Sequence, residues 1–253
     1  MRNLIYRFYE HQLERELKPE GLPKHIGVMV DGNRRWAVAQ GLDRAGHGHA
    51  AGAKKIEDFL GWCADLNISH VTLYLLSTDN LKGRDSEELT DLIEIIVSLS
   101  ERLADLGKFR LQVVGDLESL PDEASNRLQR IQEQSSGNSG LHVNLAVAYG
   151  GRKEIADAMR SILRKNASEG KSVEELAELL TPELIADHLY TGGQPDPDLL
   201  IRTSGEQRLS GFLLWQSANS EFYFAEAMWP DFRRVDFLRA MRNFQRRHRR
   251  FGS

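Results

Sequence analysis

The chain has 253 residues, enough for one large α/β domain or two small ones with a full core. It is 41% hydrophobic and 28% charged, which excludes wholesale disorder, and a net charge of −4 argues against a protein whose whole surface grips nucleic acid. The single cysteine, Cys63, excludes an intrachain disulfide framework and any multi-cysteine metal site.

In chain order, "MRNLIYRFYEHQLEREL" puts Leu4, Ile5, Phe8, Tyr9, Leu13 and Leu17 on one helical stripe. Residues 1–24 therefore read as a helical arm, and residues 25–253 as the domain it packs on. No signal peptide opens the chain and no apolar run approaches the ~20 residues that span a bilayer, so a cytoplasmic protein is expected. The apolar stretch at 26–30 reads as a strand, followed by a helix beginning near Asn33. Cys63, in "FLGWCADL", reads as a small buried hydrophobe on a helix. A strand at 70–76 precedes a helix over "SEELTDLIEIIVSLSERLADL", whose Ser86, Leu89, Leu92, Ile93 and Ile96 give a capped amphipathic start. Then come a strand at 109–115, a helix over 121–134, the turn "SSGNSG", the strand "LHVNLAVAYGG" and a helix from Lys153. Residues 164–172 read as a surface loop and 191–198 as a turn-rich connection, after which "DLLIRTSG" and "SEFYFAEA" supply two more strands. Strands separated by helices of this length imply right-handed crossovers and a mainly parallel sheet in one domain.

Polar clusters follow the strands regularly: Asp31 to Arg35, Ser77 to Asn80, Gly150 to Arg152, and Arg202 to Glu206. In an open parallel sheet all four would share the carboxyl rim, where ligands bind. Asp31 supplies an oxygen ligand suited to Mg²⁺, which takes one or two carboxylates plus substrate phosphates. Gly32 allows close backbone approach, and the helix after it offers free N–H groups. Arg34, Arg35 and Arg44 can bind phosphate oxygens, and Arg202, Arg208 and Ser210 form a second cationic cluster. Acid and arginines together favour a metal-bound polyanion over a simple anion. Taken singly these signals are bland: an Asp-Gly-Asn is most often a turn, a post-strand arginine a salt-bridge partner, and His47 and His49 loop residues. Trp215, Phe222, Tyr223, Phe224 and Trp229 read as core and subunit contacts rather than stacking platforms. Neither G-x-x-x-x-G-K-[ST] nor a post-strand G-x-G-x-x-G occurs.

Together, "HIGVMVDGNRRWA", "TLYLLSTDN", "NLAVAYGGRKEI", "DLLIRTSGEQRLSGFLLWQS" and "WPDF" resemble, in order and spacing, the cis-prenyltransferases, the undecaprenyl diphosphate synthase family. The resemblance runs from His25 to the terminal "RRFG". It implies a six-stranded, largely parallel sheet flanked by helices, working as a homodimer on isopentenyl diphosphate and an allylic diphosphate with Mg²⁺. On this sequence Asp31 matches the catalytic aspartate that helps place the metal, and Glu221 a second acid of the metal site. Gly32, Asn33, Arg34, Arg35 and Trp36 match the allylic diphosphate loop, with Arg44 and His49 beside it. Ser77, Thr78, Asp79, Asn80, Leu81 and Arg84 match the segment at the reacting centre, Asn80 in a catalytic role. Arg202, Arg208 and Ser210 match the isopentenyl headgroup pocket, and Arg250 and Gly252 an R-x-G motif reaching the neighbouring subunit's site. One extra residue between Arg44 and His49 leaves His47 as a rival to His49, and another between Asn80 and Arg84 leaves Lys82 as a rival to Arg84. Leu81 stands where many long-chain members carry tryptophan.

The implied reaction forms a Z double bond and releases diphosphate, with product length set by an apolar tunnel. Leu75 stands where long-chain enzymes keep a small residue, and "YLLSTDNL" looks more like the short-chain Z-farnesyl diphosphate type of actinobacteria, acting on geranyl diphosphate, than the long-chain undecaprenyl type. Two rivals come from other classes. "DFRRVDFLRAMRNFQRRHRRFG" carries eight arginines, which suggests nucleic acid, but an amphipathic helix with Phe237, Met241 and Phe244 inward accounts for it. A non-catalytic accessory subunit is opposed by the intact Asp31, Asn80, Arg202, Arg208 and R-x-G. The absence of D-D-x-x-D excludes a trans-type synthase. Delivery of the prenyl product would bring the protein against a membrane peripherally.

Overall fold

A computed structural model describes residues 2–83 and 85–248. Six parallel strands form one sheet in the order β3-β4-β2-β1-β5-β6. They are β1 (His25–Met29), β2 (His70–Tyr74), β3 (Phe109–Val114), β4 (Leu141–Ala146), β5 (Leu199–Arg202) and β6 (Glu221–Phe224). The helices are α1 (Arg2–Glu16), α2 (Asn33–Ala39), α3 (Ala45–Asp65), α4 (Thr78–Gly83), α5 (Ser86–Asp105) and α6 (Asp122–Ser135), then α7 (Gly151–Ser168), α8 (Val173–Leu179), α9 (Pro182–Asp187) and α10 (Arg234–His248).

β1 and β5 are buried at every residue, as central strands covered on both faces must be. Because side chains alternate across a strand, Ile26, Val28, Val71, Leu73, Val143 and Leu145 share one face and meet Phe59, Leu60, Val97 and Phe237 in the main core. Met29, Ala146 and Leu200 lie in a second core with Tyr149, Phe212 and Leu213. On this second side His25 is fully buried, its Nδ1 2.6 Å from the Pro195 carbonyl and its Nε2 2.8 Å from Thr72 Oγ1. Burial lowers its pKa to about 4.

The sheet is wholly parallel. Two local expectations change. The helix expected from Asn33 divides, because the chain turns through Gly41 (φ 71°) before α3 starts at Ala45. The loop expected over 164–172 shrinks, because α7 continues to Ser168, with Asn166 buried and its Nδ2 bonded to the Ile162 carbonyl at 2.8 Å. Ser172 then opens α8 through a reciprocal capping box with Glu175. The arginine-rich α10 buries Phe237, Met241 and Phe244. Its cations pair within the protomer: Arg234 with Glu14 at 2.6 Å and Arg242 with Glu16 at 3.4 Å. Arg239 lies over the Tyr9 ring at 5.3 Å, which docks α1 on α10. Leu13 of α1 is fully buried in the main core.

Candidate active site

The register brings Met29, Tyr74 and Arg202 to one level, at the carboxyl ends of adjacent strands. Asp31 lies just beyond, and its backbone is stapled by Thr203. The Thr203 hydroxyl accepts from Asp31 N at 3.0 Å and lies 2.7 Å from the Asp31 carbonyl. Gly32 has φ 101° and forms the N-cap of α2. A Cβ there would come within 3.0 Å of both Met228 Cβ and Ser204 Cβ, so only glycine fits the turn and the space. Asn33 Nδ2 donates to the Val30 carbonyl at 3.0 Å, tying the helix start back to the strand.

Arg202 is 5% exposed. Its guanidinium donates to Asp31 Oδ2 at 2.8 Å, to Ser210 Oγ at 2.9 Å and to the Arg208 carbonyl. One buried arginine thus holds the acid of the first cluster and the loop of the second. Arg35, on α2, donates to the Ser204 carbonyl at 3.3 Å. Ser204 itself has φ 76°, a sparsely populated conformation for a side-chain-bearing residue, at the turn that aims this carbonyl. Glu88 of α5 sits 3.4 Å from Arg34 Nε and 3.6 Å from His49 Nε2, joining three helices above the rim. Across the sheet, Tyr74 stacks on Phe212 at 4.7 Å and donates to the Ser210 carbonyl at 3.3 Å. Burial pushes its phenol up to about 12, so it remains a donor. Asn80 N donates to Ser77 Oγ at 3.1 Å at the start of α4.

These groups ring the mouth of a cavity of about 770 Å³. Asp31, Gly32, Asn33, Arg34, Arg35, His49, Ser77, Asp79, Asn80, Arg202, Arg208 and Ser210 line it, and Leu75 stands in its wall. Inside, the walls turn apolar through Ile56, Leu76, Leu92, Ile96 and Leu99. The α5 residues repeat at helical spacing, a stripe that in the sequence cannot be told from ordinary core. Glu88 is a site-building residue that carries no signal in the sequence, whereas Thr203 lies in the Arg202 to Glu206 cluster and Tyr74 opens the YLLSTDNL stretch, both expected at the site without an assigned role.

Several expected positions fall elsewhere. Arg44 is the N-cap of α3 and lines a separate hollow of about 290 Å³ with His47, Asp91 and Glu94. Trp36 is on α2 but not in the cavity wall, and Leu81 packs against the main core. Thr78 lies under Gly150, where a Cβ would approach its hydroxyl to 2.7 Å, so the Gly150–Gly151 pair serves packing and Arg152 is exposed outside the cavity. Glu221 does not join Asp31 within the protomer. It pairs with Leu199 at the amino end of β6, three residues before the level of Arg202, and so roughly 10 Å down the strand direction. There it ion-pairs with Arg247 at 3.1 Å. Arg84, Arg250 and Gly252 lie outside the described residues.

Among the described residues no cluster of three or more His, Cys, Asp or Glu could hold a metal by itself, and no helix is long and apolar enough to cross a membrane. Asp31 engages each carboxylate oxygen once, Oδ1 with Gly32 N at 2.7 Å and Oδ2 with Arg202, leaving further lone pairs. A single carboxylate of that kind fits an octahedral hard cation only if the ligand's own oxygens and water complete the shell.

The parallel sheet, the arginine-rich mouth with Asp31 and Asp79, and the apolar interior define an α/β enzyme site for a molecule with an anionic head and a hydrocarbon tail. Comparison with known proteins is specific. The prenyltransferase family model described as undecaprenyl diphosphate synthase matches residues 29–252. The chain is 55% identical over 248 residues to (2Z,6E)-farnesyl diphosphate synthase of Thermobifida fusca, covering 98% of this chain and 97% of that one. It is 54% identical over 251 residues to the (2Z,6E)-farnesyl diphosphate synthase of Mycolicibacterium smegmatis, covering 98% and 95%. Among solved structures, lavandulyl diphosphate synthase of Lavandula x intermedia in complex with dimethylallyl diphosphate superposes with a TM-score of 0.82, at 32% identity over 89% of this chain and 96% of that one. The chain belongs to the cis-prenyltransferase family and is a prenyl-transferring enzyme.

Proposed function

We propose that the protein condenses isopentenyl diphosphate with geranyl diphosphate to a short Z-prenyl diphosphate, Z,E-farnesyl diphosphate, rather than to a decaprenyl or undecaprenyl chain. The observation that carries this reading is the cavity: diphosphate-binding groups at its mouth and Leu75 in an apolar wall behind them. Two relatives that cover nearly the whole chain bear the name (2Z,6E)-farnesyl diphosphate synthase, which supports it.

In this reading the α2 amino end and Arg34 and Arg35 hold the allylic diphosphate, and Arg202, Arg208 and Ser210 hold the isopentenyl headgroup. Fixing two headgroups side by side orients the double bond of one substrate toward the allylic carbon of the other, and converts a bimolecular encounter into a positioned one. The barrier is separation of an allylic carbon from an anionic leaving group. Arginines and helix N–H groups gathered at the mouth stabilise the charge that develops on that oxygen. Mg²⁺ would be held by Asp31 together with substrate phosphate oxygens and water, and when bound it supplies further neutralisation of the leaving diphosphate. Asn80 stands beside Ser77 at the mouth, where a polar group can position the proton acceptor for the isopentenyl unit. The enzyme works as a cytoplasmic homodimer that meets membrane only peripherally, to deliver its product.

The test is diphosphate release from isopentenyl plus geranyl diphosphate in Mg²⁺ by the wild type and Asp31→Asn. Release by the wild type, lowered at least about 100-fold in a folded variant, is expected. No release with any allylic starter, or a fully active variant, would overturn the reading.

A further inference from the structure

Between the two cationic clusters lies a carboxylate that the reaction scheme above does not use. Glu206 follows the Ser204–Gly205 turn, and each of its oxygens faces a different arginine. Oε1 is 3.7 Å from Arg35 Nη1, and Oε2 is paired with Arg208 Nη1. The turn is fixed from the opposite side, because Ser204 N and Gly205 N donate to the Ala227 and Ala225 carbonyls at 2.8 and 2.9 Å. Arg35 rides on α2 and Arg208 on the loop that carries Ser210. A single side chain therefore links the two segments that, in the reading above, take the two different substrates.

We propose that Glu206 is a positioning residue that couples the two diphosphate sites, acting as a placeholder anion for Arg35 and Arg208 when they are empty. The proposal rests on the prenyl-transfer reading. With both arms engaged the carboxylate is pinned between two cations that would otherwise repel one another. The first diphosphate to arrive must displace it from one arginine and bears the cost of breaking the bridge. What remains is one solvent-exposed ion pair, which holds little by itself, and the new negative charge repels Glu206 from the site. The second diphosphate then finds its arginine already released. The consequence is reciprocal: each substrate tightens the other by the same factor, as any coupling between two binding equilibria must. The exposure of the three side chains (51% for Arg35, 31% for Glu206, 64% for Arg208) keeps the bridge breakable. A buried version would block the site instead.

The experiment measures binding of isopentenyl diphosphate, of geranyl S-thiolodiphosphate, whose C–S bond does not ionise, and of each in the presence of the other, by calorimetry in Mg²⁺. The proteins are the wild type, Glu206→Gln and Glu206→Asp. In the wild type each ligand should tighten the other about 5- to 10-fold. In Glu206→Gln each ligand alone should bind about 3- to 10-fold tighter, because a competing charge is gone, and the mutual factor should fall toward one. Glu206→Asp, which restores the charge, should recover coupling. A wild type without mutual tightening, or a Gln variant that keeps it, overturns the proposal. Uniform weakening of both ligands with coupling intact would also overturn it, since that marks a merely structural residue. Failure of both ligands to bind the wild type would sink the underlying reading as well, and is distinguished by the absence of any heat.

Discussion

Arg202 gives the account its sharpest quantitative exposure. Its planar fork serves Asp31, Ser210 and the Arg208 carbonyl at once, from a position that is 5% exposed. Arg202→Lys keeps the charge but replaces a fork with a point donor on a shorter arm, able to satisfy one of the three acceptors well. Hydrogen bonds involving charged groups contribute about 1.5–3 kcal/mol each, and water entering the site recovers part of the loss. Losing two such bonds should therefore raise the barrier by about 2–4 kcal/mol, which is roughly 30- to 1000-fold in kcat/KM. Arg208→Lys, at an arginine whose side chain is 64% exposed, should lose distinctly less. Steady-state diphosphate release, with circular dichroism to establish that both variants fold, provides the comparison. If Arg202→Lys stays within about fivefold of wild type, the claim that this side chain organises both headgroup clusters is wrong.

Leu75→Ala should lengthen the products by about one C5 unit or more, since it removes three carbons from the cavity wall; chromatography of the dephosphorylated products reads this, and an unchanged distribution removes Leu75 as the stop. Gly52→Ala would place a Cβ 2.3 Å from Asn33 Oδ1. It should raise KM for the allylic substrate about tenfold and destabilise the fold by about 1–3 kcal/mol, and wild-type kinetics would mean that Asn33 moves aside freely. His25 supplies a pH signature. Its folded pKa is about 4 against an ordinary value of 6.5, so protonation favours the unfolded chain. Stability is full above about pH 6.5, falls as pH drops toward 4 and levels off below, a loss of about 3 kcal/mol. Urea midpoints of His25→Gln should be flatter than wild type across that window, and parallel curves would contradict the assignment.

Much of the fold is legible because periodicity switches cleanly between strand and helix and the polar clusters recur just after strands. Asp31, Asn33, Arg34 and Arg35 could be placed on the rim because a strand of known length delivers them there. Other features depend on tertiary contacts that no local pattern carries. Gly150 to Arg152 follows a strand as Asp31 does, yet the chain there closes over Thr78 instead of opening to the cavity. Glu221 has the right chemistry for a metal, but register sets it at the opposite end of its strand. Leu92, Ile96 and Leu99 look like any amphipathic stripe, and only the packing of α5 beside Leu75 turns them into a cavity wall. The Arg35–Glu206–Arg208 bridge joins α2 to a loop about 170 residues later, a closeness that only the folded chain creates.

The measurement that bears most directly on the central claim is the product formed from labelled isopentenyl diphosphate in Mg²⁺ with dimethylallyl, geranyl and farnesyl diphosphates supplied separately. A single C15 product from geranyl diphosphate is the expected result. A ladder reaching C50 or C55 would contradict the short-chain assignment, and no product with any starter would contradict prenyl transfer itself.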